Sequence, residues 1–214
     1  MMKKGLDSVY KKLYARFGAQ NWWPADSPFE IMVGAILTQN TNWLNVEKAI
    51  NNLKKEKLLE ARKMLKLSNR RLAALIRPAG YYNIKADRLK EFLRFFVNEF
   101  NAKESLMSAR HTGALRQGLL SVKGIGPETA DSMLLYALSK PVFVVDAYTK
   151  RIFSRHKYFQ EDVSYDEAQK MFMQNLKNEV KLFNEYHALI VRLGKDFCLK
   201  RRPKCEQCPL KDQK

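Results

Sequence analysis

The chain has 214 residues, 46% of them apolar, enough to bury one large domain or two small lobes and too hydrophobic for a disordered protein. Thirty-nine basic against 22 acidic residues leave a net charge of +17, which suits a polyanion partner, most often nucleic acid, although a lysine-rich, heat-adapted surface carries the same sign. No apolar run reaches membrane-spanning length and MMKKGLDSVYKK holds no signal-peptide core, so no membrane partner and a cytoplasmic, nucleoid-associated location are expected.

Helical periodicity runs along almost the whole chain. Residues 6–17 predict an amphipathic helix with Leu6, Val9, Tyr10, Leu13, Tyr14 and Phe17 on one face. In DSPFEIMVGAILTQ, Ser27 is a candidate cap, Pro28 suits the first helical position, and Ser27 with Glu30 reads as a capping box. The near-continuous apolar run from Phe29 to Leu37 predicts a buried central helix. Further helices are predicted at 42–56, 57–66, 69–77, 84–99, 104–109, 112–121, 127–139, 147–156, 165–178 and 179–195. Only KPVFVVD (140–146) is extended, and it is too isolated to build a sheet. The fold class is therefore all-α, with neither an internal repeat nor a Ser/Gly-rich linker.

Between two of these helices stands Gly124-Ile125-Gly126. A dinucleotide-binding turn needs a preceding strand and a third glycine. Here the preceding TGALRQGLLSV is helical and Thr129 occupies the third position. A plain packing corner would need one glycine. A helix-hairpin-helix uses both, bringing main-chain N–H groups up to a phosphate, with Lys123 adding charge. Such contacts grip the backbone without reading sequence.

The segment LSVKGIGPETADSMLLYALSKPVFVVDAYTKRIFSR resembles the hairpin and catalytic segment of the endonuclease III superfamily of base-excision DNA glycosylases. FEIMVGAILTQNT (29–41), RPAGYYNIKADRL (77–89) and the cysteine tail resemble other segments of that family, in the same order. The resemblance implies two α-helical lobes around a DNA-binding cleft. One would be a six-helix barrel over 25–130, with the helix-hairpin-helix at 112–139. The other would combine 1–24 with 131–214 and carry a cluster loop at 198–214. It further implies a monomer acting on double-stranded DNA that contains a damaged base.

By the same resemblance Asp146 is the catalytic carboxylate, which suits the positive charge that develops on the sugar as an N-glycosidic bond breaks. Asp146 also stands where the next helix wants an N-cap, and both roles are compatible. Bifunctional members carry a lysine where this chain has Glu128, and a carboxylate forms no Schiff base. The expectation is a monofunctional glycosylase that leaves an abasic site, with Lys123 as the alternative amine.

Trp22, Trp23, Pro24 and Trp43, with Glu128, are the expected base-pocket residues, against the ordinary use of Trp22 or Trp43 as core. An aromatic slot suits a cationic, alkylated purine, where cation–π attraction contributes about 1–2 kcal/mol. These residues resemble the 3-methyladenine branch of the superfamily. Gln39 and Tyr81 would fill the gap and stack beside the orphaned base. Lys123, Gly124, Ile125, Gly126 and Thr129 form the expected DNA-binding set. Other readings are a glycosylase for a damaged or mismatched pyrimidine, with or without lyase activity, or a non-catalytic DNA-gripping module.

All three cysteines close the chain as Cys198-x6-Cys205-x2-Cys208, a metal-site spacing. It resembles the first three ligands of the family's [4Fe–4S] loop, but the fourth position, 214, is Lys214. Zinc on the three cysteines with His187 is the alternative.

Overall fold

The structure, a computed structural model, describes residues 2–212. Among them the regular elements are helical throughout, and no strand occurs. Twelve α-helices run in order: α1 Met2–Phe17, α2 Pro28–Leu37, α3 Trp43–Lys55, α4 Ala61–Lys66, α5 Asn69–Leu75, α6 Tyr82–Phe100, α7 Glu104–Ser108, α8 Thr112–Ser121, α9 Pro127–Ser132, α10 Ala147–Arg155, α11 Tyr165–Asn175 and α12 Val180–Asp196. The chain divides into two compact units, one of Ala25–Lys140 and one that joins Met1–Pro24 to Pro141–Lys214.

In the Ala25–Lys140 unit, α2 is the central helix and is buried from Phe29 to Leu37 except at the half-buried Ile31, against α3, α6 and α9. Phe29 stacks on Phe96, which stacks in turn on Phe92 of α6. The side chain of Ser27 caps α2 by accepting the Glu30 amide at 3.1 Å. The predicted capping box stops halfway. One Glu30 oxygen takes the Asp26 amide at 3.0 Å and the other takes Lys54 Nζ at 2.6 Å, so both are engaged away from the Ser27 N–H. The helix predicted over 127–139 is α helical only to Ser132 and continues as a π-helical turn over Met133–Ala137, wholly buried. The stretch predicted helical over 57–66 starts at Ala61, after Lys57 enters the left-handed region at φ 55°.

In the other unit α12 packs on α1 and α10. Leu6, Val9 and Leu13 of α1 are buried as the periodicity predicts, whereas Tyr14, placed on the same face, is 43% exposed. Phe143, Phe153, Phe172, Phe183 and Tyr186 are buried together, with Phe143 stacked on Phe172 at 4.0 Å between centroids. Burying a phenylalanine contributes about 1.5–3 kcal/mol, and here the burial also fixes a backbone path. The extended segment 141–146 pairs with no strand. Side chains of α11 meet its backbone instead: Gln169 Nε2 donates to the Phe143 carbonyl at 2.7 Å and the Tyr165 hydroxyl accepts from the Val145 amide at 3.4 Å. The buried run Val142–Val145 thus delivers Asp146 to the start of α10.

Candidate active site

Asp146 caps α10. Its Oδ1 accepts from the Thr149 amide at 2.7 Å and from the Thr149 hydroxyl at 2.8 Å, and Thr149 is itself fully buried. Oδ2 is left to face Nε2 of His187, on α12, at 3.6 Å. Burial alone would raise the Asp146 carboxyl. The neighbouring His187 and the Thr149 hydrogen bonds outweigh it, holding the group below its usual range. Asp146 is thus an ionised, nearly enclosed carboxylate with one oxygen committed to the helix and the other facing His187. His187, an alternative zinc ligand on sequence grounds, lies at Asp146 and does not line the cavity that holds the cysteines.

In the same unit Trp22 and Trp23 are half-buried with ring centroids 5.7 Å apart, and Pro24 is exposed. Lys195 Nζ lies 5.8 Å from the Trp22 ring, so Trp22 already carries a cation and Trp23 is the better candidate for another.

The remaining predicted residues belong to the Ala25–Lys140 unit. Trp43 is half-buried at the first position of α3, and Glu128 is exposed in the first turn of α9. The hairpin between α8 and α9 is locked by Arg116, whose Nε and Nη2 grip Asp131 at 2.8 and 3.1 Å. Ile125 is buried beneath the turn, and Lys123 is exposed. Gly124 has φ +90°, and a Cβ there would collide with the Arg88 side chain. Gly126 has an ordinary φ of −94° and open space where a Cβ would stand. Nothing inside the chain requires a glycine at 126, whereas close approach by an outside group would.

Gln39 does not project freely. Its Nε2 donates to the Gly124 carbonyl at 3.0 Å and to the Thr129 hydroxyl at 2.9 Å, and its Oε1 accepts from Arg88. Thr129 is buried as the receiver of that amide. Tyr81 is 67% exposed in left-handed backbone at φ 45°, after Gly80 at φ 67°. That conformation costs an aromatic residue about 1–2 kcal/mol, and it persists because the backbone around it is tied down. The tie is Lys85, which sequence reasoning passed over inside GYYNIKADRL. Its buried Nζ donates to the Leu37 carbonyl at 2.7 Å, the Thr41 hydroxyl at 2.6 Å and the Ala79 carbonyl at 2.8 Å. Burial first, then the charge of Arg88, pushes Lys85 down to about 8. One ammonium therefore joins the Gln39 loop to the Tyr81 loop.

The cysteines line one cavity of about 430 Å³, together with Arg155, His156 and Phe197. Arg155 donates to Cys198 Sγ at 3.3 Å and the Leu210 amide to Cys208 Sγ at 3.4 Å. Among the described residues, no three or more His, Cys, Asp or Glu side chains are gathered closely enough to hold a metal ion. The donor chemistry nevertheless suits a soft-ligand group, since three thiols face one cavity and two N–H groups already point at their sulfurs. Position 214 lies outside the described residues. Among the described residues no helix is long and apolar enough to cross a membrane.

A helix-hairpin-helix, followed by an extended run into an aspartate that caps the next helix, defines a class of DNA repair protein. Residues 33–178 match the family described as HhH-GPD superfamily base excision DNA repair protein, and the chain belongs to that superfamily. A Methanocaldococcus jannaschii protein assigned by name to the DNA repair glycosylases is 51% identical over 205 residues, covering 95% of this chain and 93% of its own. The 3-methyladenine DNA glycosylase of H. pylori, solved with bound 1,N6-ethenoadenine, is 32% identical. It covers 90% of this chain and 95% of its own, with a TM-score of 0.74. An endonuclease III in a non-covalent complex with DNA shares the fold, with a TM-score of 0.85 at 21% identity over 100% of this chain and 95% of its own.

Proposed function

We propose that this chain is a monofunctional DNA glycosylase that hydrolyses the N-glycosidic bond of alkylated purines, 3-methyladenine above all, flipped out of double-stranded DNA. The observation that carries the reading is the division of labour at Asp146. Oδ1 is saturated by Thr149, while Oδ2 belongs to a carboxylate held ionised and is not used by the cap. A fixed anion of this kind stabilises the sugar's developing positive charge or orients the attacking water. An alkylated purine is cationic and already a good leaving group, so it needs no second acid. Trp23 would supply a ring face that suits such a base.

Glu128 supports the monofunctional reading, because a carboxylate cannot attack the sugar C1′ to form an imine. The hairpin would hold the backbone with Lys123 and the approach left open at Gly126. Tyr81 would stack beside the orphaned base, and Gln39 would follow once its hydrogen bonds to the hairpin are given up. Cys198, Cys205 and Cys208 are the residues to hold a [4Fe–4S] cluster. Bound there, it would order the basic tail and supply no step of the hydrolysis.

The test uses methylated duplex DNA, with wild type and Asp146→Asn. Asparagine caps a helix as well as aspartate does, so the fold should be kept while the charge is lost. Wild type is expected to release 3-methyladenine and to give strand breaks only after alkali, and Asp146→Asn to bind and release nothing. Breaks without alkali would overturn the monofunctional reading. Release of other bases only would overturn the substrate.

A further inference from the structure

The mechanism above leaves His187 without a task. It is 7% exposed on α12, and its Nε2 stands 3.6 Å from the one Asp146 oxygen that the helix cap does not use. A buried imidazole at that distance from a buried carboxylate oxygen is an ion pair when protonated, formed where water screens it little.

We propose that His187 is a positioning residue for Asp146. It faces Oδ2, the oxygen that Thr149 does not hold, and keeps the carboxylate charged for the sugar. The inference rests on the reading of Asp146 as the catalytic carboxylate.

The geometry favours this role over a packing one. Both Thr149 hydrogen bonds reach Oδ1, which sets the plane of the carboxylate and leaves Oδ2 outside the cap. The imidazole stands at the oxygen that the cap leaves, where it acts on the charge of the group. The influences on the carboxyl are burial, His187 and Thr149, so His187 is the titratable side chain that acts on it. Other charged groups of these elements are turned elsewhere. On α10, Lys150 donates to the Val163 carbonyl at 2.5 Å, and Arg151 donates to the Cys198 and Gly194 carbonyls at 2.8 and 3.1 Å. On α12, Glu185 accepts the Gln20 amide at 2.8 Å. From α1, Tyr10 sets its ring against Tyr186, and the field of Asp7 falls on Tyr186. His187 itself is anchored through the turn beside it, where the Tyr186 hydroxyl donates to the Leu6 carbonyl at 2.9 Å.

Burial is the largest single influence on Asp146 and runs against ionisation. Without His187 the carboxyl should therefore take up its proton at higher pH, although nothing that touches the DNA has changed.

The experiment titrates Asp146 directly by 13C NMR of labelled aspartate carboxyls in the full chain, with Asp146→Asn to assign the signal. It compares wild type with His187→Gln, and with His187→Asn should the glutamine variant not fold. The expected result is a titration midpoint raised by about one unit or more, a roughly tenfold change in proton affinity. The acid limb of single-turnover base release should move up with it, while affinity for DNA carrying a non-cleavable abasic analogue stays within twofold. An unchanged midpoint in a folded variant would overturn the proposal. Base release retained in Asp146→Asn would instead overturn the assignment of Asp146, and the carboxyl titration would still report whether His187 acts on it.

Discussion

Gly124 and Gly126 stand two residues apart and answer different demands. Gly124 takes a left-handed φ of +90° and has the Arg88 side chain against the place a Cβ would fill, so the fold itself needs it. Gly126 takes an ordinary φ and has open space. Gly124→Ala is expected to destabilise the protein by about 1–2 kcal/mol, which is a fall in Tm of roughly 2–8 °C for a chain of this size. Gly126→Ala should leave Tm unchanged and weaken binding to duplex DNA, because the added methyl would stand in open space where the proposed grip brings a phosphate. Thermal unfolding and a DNA titration on the same two variants check the pair. Equal effects of both would mean that the hairpin is a packing corner and not a grip.

At the scale of elements, the link that matters is between the end of α2 and the start of α6. Lys85 reaches from α6 to carbonyls on either side of it and to Thr41, whose own hydroxyl donates to the Ala79 carbonyl at 2.5 Å. Removing this ammonium by Lys85→Met takes the donor from the buried Leu37 carbonyl and should cost about 1–3 kcal/mol. The pH dependence has a definite sign. Lys85 titrates near 8 in the folded chain, below the usual lysine value of 10.5, so between these two values the unfolded chain holds more protons than the folded one. Stability attributable to this group therefore rises with pH across that window. The gap in urea midpoint between wild type and Lys85→Met should widen in favour of wild type from pH 8 to 10.5. A gap that narrows would show that the ammonium is not buried as described.

Much of this was legible in the sequence where one rule acted alone. The all-α class, the buried helix from Phe29 and the cap at Asp146 follow from periodicity and cap chemistry within a few residues of one another. What was not legible depends on partners far along the chain. Lys85, Arg88 and His187 look like ordinary solvated or core residues until α2, α6, α10 and α12 bring Leu37, Gln39 and Asp146 to them. The Glu30 half of the capping box fails in part for the same reason, since Lys54 arrives from another helix to one Glu30 oxygen while the Asp26 amide takes the other. Nor could the sequence show that side chains of α11, and no strand, would meet the backbone of the extended run before Asp146.

On the scale of the whole molecule, the net charge of +17 is the quantity to test. A protein that grips DNA through backbone N–H groups and lysines releases counterions from each phosphate it contacts. Affinity for undamaged duplex should therefore fall steeply between 50 and 200 mM salt, by about 10³-fold or more if six or more phosphates are held. Binding that barely changes over this range would assign the charge to solvation of the surface. The slope should be the same for Asp146→Asn, whose substitution lies outside the hairpin.

The carboxylate that would do the chemistry is the same one that starts α10. A lineage that abandoned base removal and kept only the grip on DNA would still face selection for an oxygen at position 146. Asparagine, serine or threonine would satisfy it, whereas alanine would lose about 1 kcal/mol with the cap. Loss of activity in relatives of this chain should therefore leave a narrow and recognisable trace at that position.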